Sequence, residues 1–210
     1  MSAGYSADQV RAAEAPLLAA GVPLMARAAA GLAAAIRELA PERVLLLVGS
    51  GDNGGDALFS GAELAREAVP VQILRTGDRV HEAGLSAALD AGAVLVDAVP
   101  DTLDVLVDGI LGIGAGAGTA LRGRARAAVE AVLARPERPR IVAVDIPSGV
   151  NPDDGSVPDG VVLPAETTVT FGAVKAGLLQ GRGAELAGQV RLIEIGLDLT
   201  GVTPRVEDAV

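Results

Sequence analysis

The sequence predicts one α/β domain in which a mainly parallel sheet carries helices on both faces. From Val44 onward, short apolar segments alternate with segments whose apolar residues have helical spacing, as in successive β-α-β units. The chain has 210 residues, 50% of them hydrophobic, which is enough for one large core. Only 1% are aromatic, so this core must consist mainly of Val, Leu, Ile and Ala. No repeat, low-complexity segment or linker indicates a second domain, so residues 1–210 are predicted to form a single one.

Charge and cysteine content exclude several classes of function. The formal net charge of −10 and the lack of a Lys/Arg run argue against a nucleic-acid partner. The densest basic region, Arg122 to Arg126, is interpreted as a solvated helix face near an anion site. The chain has no cysteine, which excludes disulfides, a thiolate nucleophile and a cysteine metal site. With no leader-like start and no apolar run of about 18 residues, we expect a cytoplasmic protein with no membrane partner.

Two Ala-rich helices are predicted before the first strand, over Ser6–Ala20 and Val22–Leu39, with a break at Gly21. Ser6 is a suitable N-cap, and Gln9 has the spacing of a capping box. Because both helices precede the first strand, they must pack outside the repeating β-α units. Their apolar face fits either the core or a subunit interface.

The first β-α unit contains the most informative segment of the chain. Val44–Val48 is a short, wholly apolar run, which indicates a strand buried on both faces. Four glycines follow within seven residues, and Ala57–Ala68 then has helical spacing. A strand, a glycine loop and a helix present backbone N–H groups where an anion is favoured. Because the loop Gly49–Asp56 also carries two aspartates and Asn53, we interpret it as a ligand-binding loop and not only as a tight turn.

The rest of the chain continues the alternation of strands and helices. Strands are predicted at Val69–Leu74, Ala93–Val96, Leu103–Val107, Arg140–Val144, Thr167–Phe171 and Gln189–Ile195. Helices are predicted at His81–Ala91 and Ala120–Ala134. A loop with Lys175 separates the last two strands, and residues 200–210, which show no pattern, are expected to form a flexible tail.

Three polar loops follow buried strands of the predicted sheet. They are Gly49–Asp56, Asp108–Gly118 and Asp145–Gly149. In a parallel sheet, ligands bind at the carboxyl ends of the strands, so the three loops are expected to converge there. Convergence of three loops indicates a site more strongly than any one motif.

The second glycine loop, Gly112–Gly118, has the sequence GIGAGAG and fits the loose pattern G-x-G-x-x-G/A. It does not follow the first strand, and no acid follows the next strand to hold a ribose hydroxyl. We therefore interpret it as a phosphate-contacting loop and not as a redox-cofactor fingerprint. A flexible turn of small residues is the alternative. A P-loop kinase is excluded because the chain has no Gly-Lys-Ser/Thr.

Asn53, Asp108 and Ser148 offer an amide oxygen, a carboxylate and a hydroxyl near this edge. An all-oxygen set with one full charge suits a hard cation of low charge better than zinc. The alternative is that these side chains only hydrogen-bond the loops to one another. Ser148 lacks a G-x-S-x-G elbow and a histidine nearby in the sequence, so a serine hydrolase is not expected.

Asp145, at a strand end, and Lys175, on a neighbouring loop, are the acid–base candidates. Lys175 is the one lysine among 17 basic residues, in a chain whose other basic side chains are arginine. A lysine in such a composition indicates a role for a compact amine that a guanidinium does not fill. A purely structural ion pair is the alternative.

Four motifs occur in order, with the sequences GSGDNGGDALFSGAELA, DGILGIGAGAG, VDIPSGVNPDDG and TVTFGAVKAGLL. Together with the N-terminal segment SADQVRAAEAPLLAAGVPLMARAA, they resemble the motifs of the NAD(P)H-hydrate epimerases, the YjeF N-terminal family, over residues 6–198. The resemblance implies a Rossmann-like three-layer αβα sandwich with two extra N-terminal helices, in a homodimer. It also implies an isomerase that interconverts the R and S epimers of hydrated NADH and NADPH. A partner dehydratase specific for the S form then restores the coenzyme.

The resemblance also implies site residues. The hydrate would be held beside Asp145 by the two glycine loops. The loop residues concerned are Asp52, Asn53, Gly54, Gly55, Asp56, Gly112, Ile113, Gly114, Ala115, Gly116, Ala117 and Gly118. One potassium ion per subunit would be held by Asn53, Asp108 and Ser148, and Lys175 matches the lysine of the family's TFG-x-x-K motif. Asp145 and Lys175 would exchange acid and base roles as the hydroxyl leaves and returns, or as the ring opens, with no redox change.

Two positions depart from the family pattern. Asp52 stands where GNNGGDG has Asn, which adds a charge near a polyanionic ligand, and Ala57 replaces the final Gly. Many relatives carry the dehydratase as a second domain, so the chain is expected to be a stand-alone epimerase or one half of a longer protein. The alternatives are a non-catalytic nucleotide- or protein-binding module of the same fold and a nucleotide-binding enzyme of other chemistry. A module does not need Asp145 and Lys175, and both are present.

Overall fold

The computed structural model describes residues 3–115 and 118–207, which form a seven-stranded sheet, a three-stranded sheet and six α-helices. The strands are β1 (Ala3–Tyr5), β2 (Val44–Val48), β3 (Val71–Arg75), β4 (Val94–Val96), β5 (Val105–Gly109), β6 (Arg140–Val144), β7 (Thr167–Phe171), β8 (Val174–Lys175), β9 (Gln189–Ile193) and β10 (Val206–Glu207). The helices are α1 (Ala7–Ala19), α2 (Leu24–Arg37), α3 (Asp52–Arg66), α4 (Glu82–Asp90), α5 (Gly123–Leu133) and α6 (Gly181–Leu186).

The large sheet is wholly parallel, with the strand order β4-β3-β2-β5-β6-β7-β9. The chain enters this sheet in its interior at β2, runs outward through β3 to β4, and returns to β5 on the other side of β2. The strand order therefore reverses between β2 and β5, and the loops that follow these two strands diverge to leave a crevice. The register sets Leu47 beside Asp108 and Val48 beside Gly109, so both loops start at the same level.

Alternate residues of β2 face opposite layers of the core. Val44, Leu46 and Val48 pack with side chains of α2, α3 and α4, whereas Leu45 and Leu47 pack with side chains of α5. All five side chains are buried, because central strands of such a sheet are covered on both faces. The predicted three-layer α/β architecture is confirmed, and its core consists mainly of Val, Leu, Ile and Ala.

The predicted start of the first helix is confirmed. Ser6 Oγ accepts a hydrogen bond from the Gln9 N–H (3.2 Å), and Gln9 Oε1 accepts one from the Ser6 N–H (2.9 Å). Together these bonds form the capping box at the start of α1. Within the described residues no single helix is long and apolar enough to span a membrane. The pair α1 and α2 passes that test only when taken together, with a bend of 117° between them.

The helix after β2 begins earlier than expected. α3 starts at Asp52 and not at Ala57, so the second half of the predicted glycine loop is helical. Gly54 is needed for packing and not for a loop conformation, because a Cβ there would lie 2.3 Å from the carbonyl oxygen of Gly49. A Cβ at Gly55 would likewise press on a side chain of α2. The two glycines therefore allow the first turn of α3 to pack closely against its neighbours.

The small sheet, with strand order β10-β1-β8, was not expected. Tyr5 pairs with Lys175 in the parallel arrangement of β1 and β8, and Gly4 pairs with Val206 in the antiparallel arrangement of β1 and β10. The prediction of a tail without structure was therefore wrong at Val206 and Glu207, while residues 208–210 lie outside the described part of the chain. The loop predicted around Lys175 also contains strand β8 and helix α6. Strands of two or three residues are too short to show a periodic pattern, and only their pairing partners define them.

Candidate active site

The carboxylate of Asp108 and the hydroxyl of Ser148 form a buried hydrogen-bonded pair. Asp108 lies near the end of β5, and Ser148 follows β6, the neighbouring strand. Ser148 Oγ donates to Asp108 Oδ1 (2.6 Å), and the Ser148 N–H donates to Asp108 Oδ2 (2.9 Å). The N–H of Leu111 donates to Ser148 Oγ (2.9 Å). These contacts confirm that the loops after β5 and β6 converge at one edge of the sheet.

Asp108 is a buried carboxyl that has no cationic partner in the part of the chain that the structure describes. Its side chain is fully enclosed, and none of the ion pairs formed within residues 3–115 and 118–207 includes it. Burial raises the pKa of Asp108, while its hydrogen bonds with Ser148 and with the Ile110 N–H lower it by less. A cation bound beside this carboxylate would compensate the charge, so the position is chemically suited to one.

Asn53, the second residue of α3, lies beside the loop that follows β5. A Cβ at Gly112 would be 3.0 Å from Asn53 Oδ1, and one at Gly109 would be 3.2 Å from the backbone oxygen of Asn53. The Asn53 side chain is buried, and its Nδ2 atom has no hydrogen-bond partner among the described residues. Turning the amide over exchanges Oδ1 and Nδ2, so this side chain is able to offer oxygen to a cation. The hydrogen bonds of the described residues do not join Asn53 directly to Asp108 or Ser148.

Asp145 follows β6 directly and has an unusual backbone conformation. Its φ angle is +67°, in the left-handed region that most residues avoid. The Asp145 N–H donates to the carbonyl oxygen of Val169 on β7 (2.7 Å), which holds the residue in place. Its Oδ1 atom accepts hydrogen bonds from Thr170 Oγ1 (3.2 Å) and from the Phe171 N–H (3.4 Å). Such a conformation costs about 1–3 kcal/mol and is most frequent at functional sites.

Lys175 forms a buried ion pair with Asp145, and only 1% of the lysine side chain is exposed. Nζ donates to Asp145 Oδ1, to Thr170 Oγ1 (3.1 Å) and to the carbonyl oxygen of Phe171 (2.9 Å). Each of its three N–H groups therefore has an acceptor. Every hydrogen bond that the described residues make to the Asp145 carboxylate uses Oδ1, which leaves Oδ2 for a ligand. The predicted proximity of Asp145 and Lys175 is confirmed.

Two further carboxyls interact with this ion pair. Burial raises the pKa of Asp56 well above its ordinary value, and the negative charge of Asp145 adds to the effect. Burial also raises the pKa of Glu14, against the opposing positive charge of Lys175. Asp52 is exposed, and its charge raises the pKa of both Asp56 and Glu14. Asp52 and Asp56 are among the site residues predicted from the sequence, whereas Glu14 is not.

The structure brings α1, predicted as an outer helix, to the edge of this site. Arg11 Nη1 donates to the carbonyl oxygen of Ile113 in the second glycine loop (2.9 Å). The Ala7 N–H donates to Asp153 Oδ1 (2.7 Å), in the segment that follows β6. Helical spacing places Ala7, Arg11 and Glu14 on one side of α1. The sequence contains this spacing, but it does not show which side of the helix meets the sheet edge.

A cavity of about 310 Å³ lies in the crevice between β2 and β5. Its lining includes Gly49 and Ser50 after β2. It also includes Leu111, just before the second glycine loop, Gly118, the last residue of that loop, and Arg122 before α5. A larger cavity of about 500 Å³ lies between the small sheet and β9, and it is lined mainly by apolar residues. The smaller cavity is the one that adjoins the predicted loops.

The second glycine loop is described only in part. Residues Ile113–Ala115 form a 3-10 helix, whereas Gly116 and Ala117 lie outside the described residues. α5 begins at Gly123 and not at Ala120 as predicted. The φ angle of Gly123, the first residue of α5, is +53°, a left-handed value that glycine adopts easily. The change from this value to the right-handed helix marks where the preceding irregular segment ends.

The sequence profile of one protein family, described as YjeF-related protein N-terminus, matches residues 21–177. The matched region covers more than half of the chain and includes Asp108, Asp145 and Lys175. The chain belongs to this YjeF N-terminal family. The family assignment made from the four motifs is therefore confirmed. Helix α1, with Glu14, precedes the matched region.

Proteins similar to the chain along most of its length are named NAD(P)H-hydrate epimerase. One from Clavibacter michiganensis subsp. michiganensis is 54% identical, over 98% of this chain and 96% of its own length. One from Microbacterium testaceum is 56% identical, over 93% of this chain and 79% of its own length. A protein of Mycobacterium tuberculosis, named bifunctional NAD(P)H-hydrate repair enzyme Nnr, is 43% identical over 93% of this chain but only 42% of its own length.

The crystal structure of the yeast protein ynu0 has the same fold. It matches with a TM-score of 0.73, over 90% of this chain and 86% of the yeast chain, at 17% sequence identity. At this identity the likeness concerns the fold alone. It agrees with the Rossmann-like three-layer architecture predicted for the family.

Proposed function

We propose that this protein is an isomerase that interconverts the R and S epimers of hydrated NADH and NADPH. Relatives at 54% and 56% identity carry the name of this activity. The observation that carries the proposal is the buried Asp145–Lys175 pair at the carboxyl edge of the sheet, with Asp145 Oδ2 free of protein partners in the described part of the chain. An acid–base pair held there suits a reaction that moves a hydroxyl and a proton but no hydride.

The crevice between β2 and β5 supports binding of a dinucleotide. Backbone N–H groups at the start of α3 favour a phosphate, and Arg122 lines the adjoining cavity. Asp52 is exposed, so its added charge remains hydrated at this helix start. In this proposal, Asp52–Asp56 and Gly112–Gly118 flank the substrate, and the hydrated ring lies next to Asp145.

The proposed reaction removes and returns one hydroxyl at the hydrated ring carbon. The lone pair of the ring nitrogen expels this hydroxyl as it receives a proton, which gives water and a cationic ring. Water then adds to either face of the ring and gives up a proton. The incoming oxygen restores the electron pair that left with the first hydroxyl, so atoms, charge and oxidation state balance. Asp145 and Lys175 supply and accept these protons, and the cationic ring carries the positive charge beside the buried pair between the two steps.

We also propose one potassium ion per subunit, held by Asn53, Asp108 and Ser148. Two features support this site: among the described residues, the Asp108 carboxyl has no cationic partner and Asn53 Nδ2 has no hydrogen-bond partner. No group of three or more His, Cys, Asp or Glu suited to a metal ion occurs in residues 3–115 and 118–207, and the proposed set has a single carboxylate. Such a set suits a hard cation of low charge, which would neutralise Asp108 when bound.

In this proposal the protein is a cytoplasmic homodimer. A dehydratase consumes the S epimer of hydrated NADH or NADPH that it produces. The Mycobacterium tuberculosis relative supports the link to a second activity, because its name calls it bifunctional and this chain spans 42% of its length. An epimerase is useful only beside an enzyme that consumes one epimer, since the reaction by itself leaves both forms present.

The test follows R-to-S conversion by chromatography, starting from hydrated NADH enriched in the R epimer. The wild type is compared with Asp145→Asn and Lys175→Met, in potassium chloride and in choline chloride of equal ionic strength. Arg182→Met, an exposed position on α6, is the control for loss of a basic side chain. We expect conversion well above the spontaneous rate in the wild type and the control, and conversion at the spontaneous rate in the two variants.

Two results would contradict the proposal. A wild type that binds the nucleotide but does not accelerate conversion would indicate a non-catalytic binding module. Full activity in Asp145→Asn and Lys175→Met would show that the buried ion pair is structural and that the chemistry lies elsewhere.

A further inference from the structure

The carboxyl end of β3 lies beside the crevice between β2 and β5. Arg75 is the last residue of β3, and the register sets it level with Val48, the last residue of β2. The N–H and the Oγ1 of Thr76 both donate to the carbonyl oxygen of Val48, each at 2.9 Å. A Cβ at Gly77 would lie 2.4 Å from Ser50 Oγ. The loop after β3 therefore packs on the loop after β2, and Thr76 and Gly77 line the cavity in the crevice.

A second cavity, of about 200 Å³, adjoins this one between the end of β3 and α5. The linings of the two cavities are continuous, since Arg75 is followed by Thr76 and Arg124 by Ala125. The charged residues of the second cavity are Arg75, Arg124 and Asp97, which follows β4. Two guanidinium groups and one carboxylate leave a net positive charge here, in a chain whose formal net charge is −10. The cavity is therefore suited to an anion.

The guanidinium group of Arg75 has donors that the described residues leave unused. Its Nη2 atom donates to the carbonyl oxygen of Asp78 (2.9 Å), which holds the group at the end of the strand. Its Nε atom is buried and has no acceptor in residues 3–115 and 118–207. None of the ion pairs formed within the described residues includes Arg75, Arg124 or Asp97. A buried donor without an acceptor destabilises the folded state, and an oxygen of a bound anion would compensate it.

The strand order leads a bound dinucleotide from the candidate acid–base pair to this cavity. In the function proposed above, the hydrated ring lies next to Asp145, after β6. Strands β5, β2 and β3 follow β6 in order across the sheet, so the end of β3 lies three strand spacings, about 14 Å, from that of β6. In doubly wound sheets the dinucleotide spans the point at which the strand order reverses, and a residue at the end of the next strand contacts the adenosine ribose. In this chain that residue is Arg75.

We propose that Arg75 and Arg124 bind the 2′-phosphate of the adenosine ribose, so that the protein favours hydrated NADPH over hydrated NADH. An acidic residue at the end of this strand accepts a hydrogen bond from the ribose 2′-hydroxyl, whereas an arginine accommodates a phosphate there. A guanidinium group donates two parallel hydrogen bonds to phosphate oxygens, which makes such contacts strong. Asp97 repels the phosphate and limits the affinity. The inference rests on the proposed function for its substrate, and it names the form of that substrate which the site selects.

The first experiment compares kcat/KM for the two hydrates in the wild type, Arg75→Gln and Arg124→Gln. Arg182→Gln makes the same change at an exposed position on α6 and is the control. We expect the wild type to favour hydrated NADPH. The ratio of kcat/KM for hydrated NADPH to that for hydrated NADH should fall by about 10- to 100-fold in Arg75→Gln, because hydrogen bonds to a charged phosphate are lost.

The ratio should fall less in Arg124→Gln, because Arg124 is exposed and its charge is screened by solvent. It should stay unchanged in Arg182→Gln. The loss should appear in KM, since the phosphate is remote from the reacting ring and contributes equally to binding of substrate and transition state. A wild-type ratio near one, or an equal loss with both hydrates in Arg75→Gln, would overturn the proposal.

A second measurement does not depend on turnover. Isothermal titration calorimetry at constant ionic strength compares adenosine 2′,5′-bisphosphate with its 3′,5′ isomer, which has the same charge, and with adenosine 5′-monophosphate. We expect the wild type to bind the 2′,5′ isomer most tightly. This preference should be lost in Arg75→Gln, increase in Asp97→Asn and stay unchanged in Arg182→Gln.

The two measurements separate failure of the subsite from failure of the proposed function. If the wild type lacks epimerase activity but shows the Arg75-dependent preference for the 2′,5′ isomer, the proposed function fails and the phosphate subsite stands. Equal affinity for the two bisphosphates would show only a general attraction of anions and would overturn the subsite. A preference that survives in Arg75→Gln would do the same.

Discussion

Lys175 and Asp145 join the two sheets of the protein through a buried ion pair. Asp145 follows β6 of the large sheet, and Lys175 lies on β8 of the small sheet. The ammonium group also donates to Thr170 Oγ1 and to the Phe171 carbonyl oxygen, both on β7. The pair is therefore a structural joint as well as a candidate acid–base pair, and the two roles need separate tests.

Replacement of Lys175 by Met is expected to destabilise the fold, because it leaves the buried Asp145 carboxylate uncompensated. Breaking one partner of a buried pair costs about 3–5 kcal/mol, which urea unfolding measures directly. The double variant Asp145→Asn/Lys175→Met should lose less than the sum of the two single variants. Additive losses would contradict a coupled pair, and Arg182→Met on α6 should unfold like the wild type.

The raised pKa of Asp56 predicts a pH-dependent stability. The folded state keeps this proton in a range where the unfolded chain, with the ordinary value of 3.8, has lost it. The free energy of unfolding therefore falls as pH rises from that value through the higher folded pKa. Asp56→Asn removes this contribution, so its stability relative to the wild type should increase from about pH 4 to neutral pH. Urea unfolding at a series of pH values measures this difference, and a difference independent of pH would contradict it. The exposed change Asp78→Asn is the control.

Binding of potassium at Asp108 is expected to raise the stability of the folded protein above that in a salt whose cation does not bind there. A ligand that binds only the folded state stabilises it by about 2.7 kcal/mol at a free concentration of 100 times its Kd. The Tm of the wild type should therefore be higher in potassium chloride than in choline chloride of equal ionic strength. Asp108→Asn should abolish the difference, whereas Asp78→Asn should keep it. Equal Tm values in both salts for the wild type would argue against the ion.

Substitution of Gly54 is expected to disturb the packing of α3 against the segment that follows β2. Gly54→Ala places a Cβ 2.3 Å from the Gly49 carbonyl oxygen, although alanine normally favours a helix. We expect the variant to lose about 1–3 kcal/mol of stability in urea unfolding. At Gly114 a Cβ would meet no atom of the described residues within 4 Å, so Gly114→Ala is the matched control and should stay within about 0.5 kcal/mol. Equal stability of the two variants would contradict the close approach of α3 and the end of β2.

Local patterns predicted the elements in which consecutive residues share one environment, such as a strand whose side chains are all buried. The bounds of β2, β6 and β7 agree with the segments predicted as strands, because nearly all of their residues are buried and most are β-branched or aliphatic. The capping box of α1 was recognisable for a similar reason, since both of its partners lie within four residues. The predicted start of α3 was wrong. Gly54 and Gly55 belong to the helix, where the lack of a Cβ lets its first turn pack closely against other segments.

The sequence by itself determined the α/β class, the sheet edge at which the polar loops meet, and the family, since all of these depend on runs and motifs read along the chain. The tertiary structure decided the rest of the site. It placed Lys175 on a strand that exists only by pairing with Tyr5, turned Asp145 into the left-handed region, and brought Arg11 of α1 to the second glycine loop. The physical reason is that burial and charge act between residues more than a hundred positions apart, and no local pattern records such contacts.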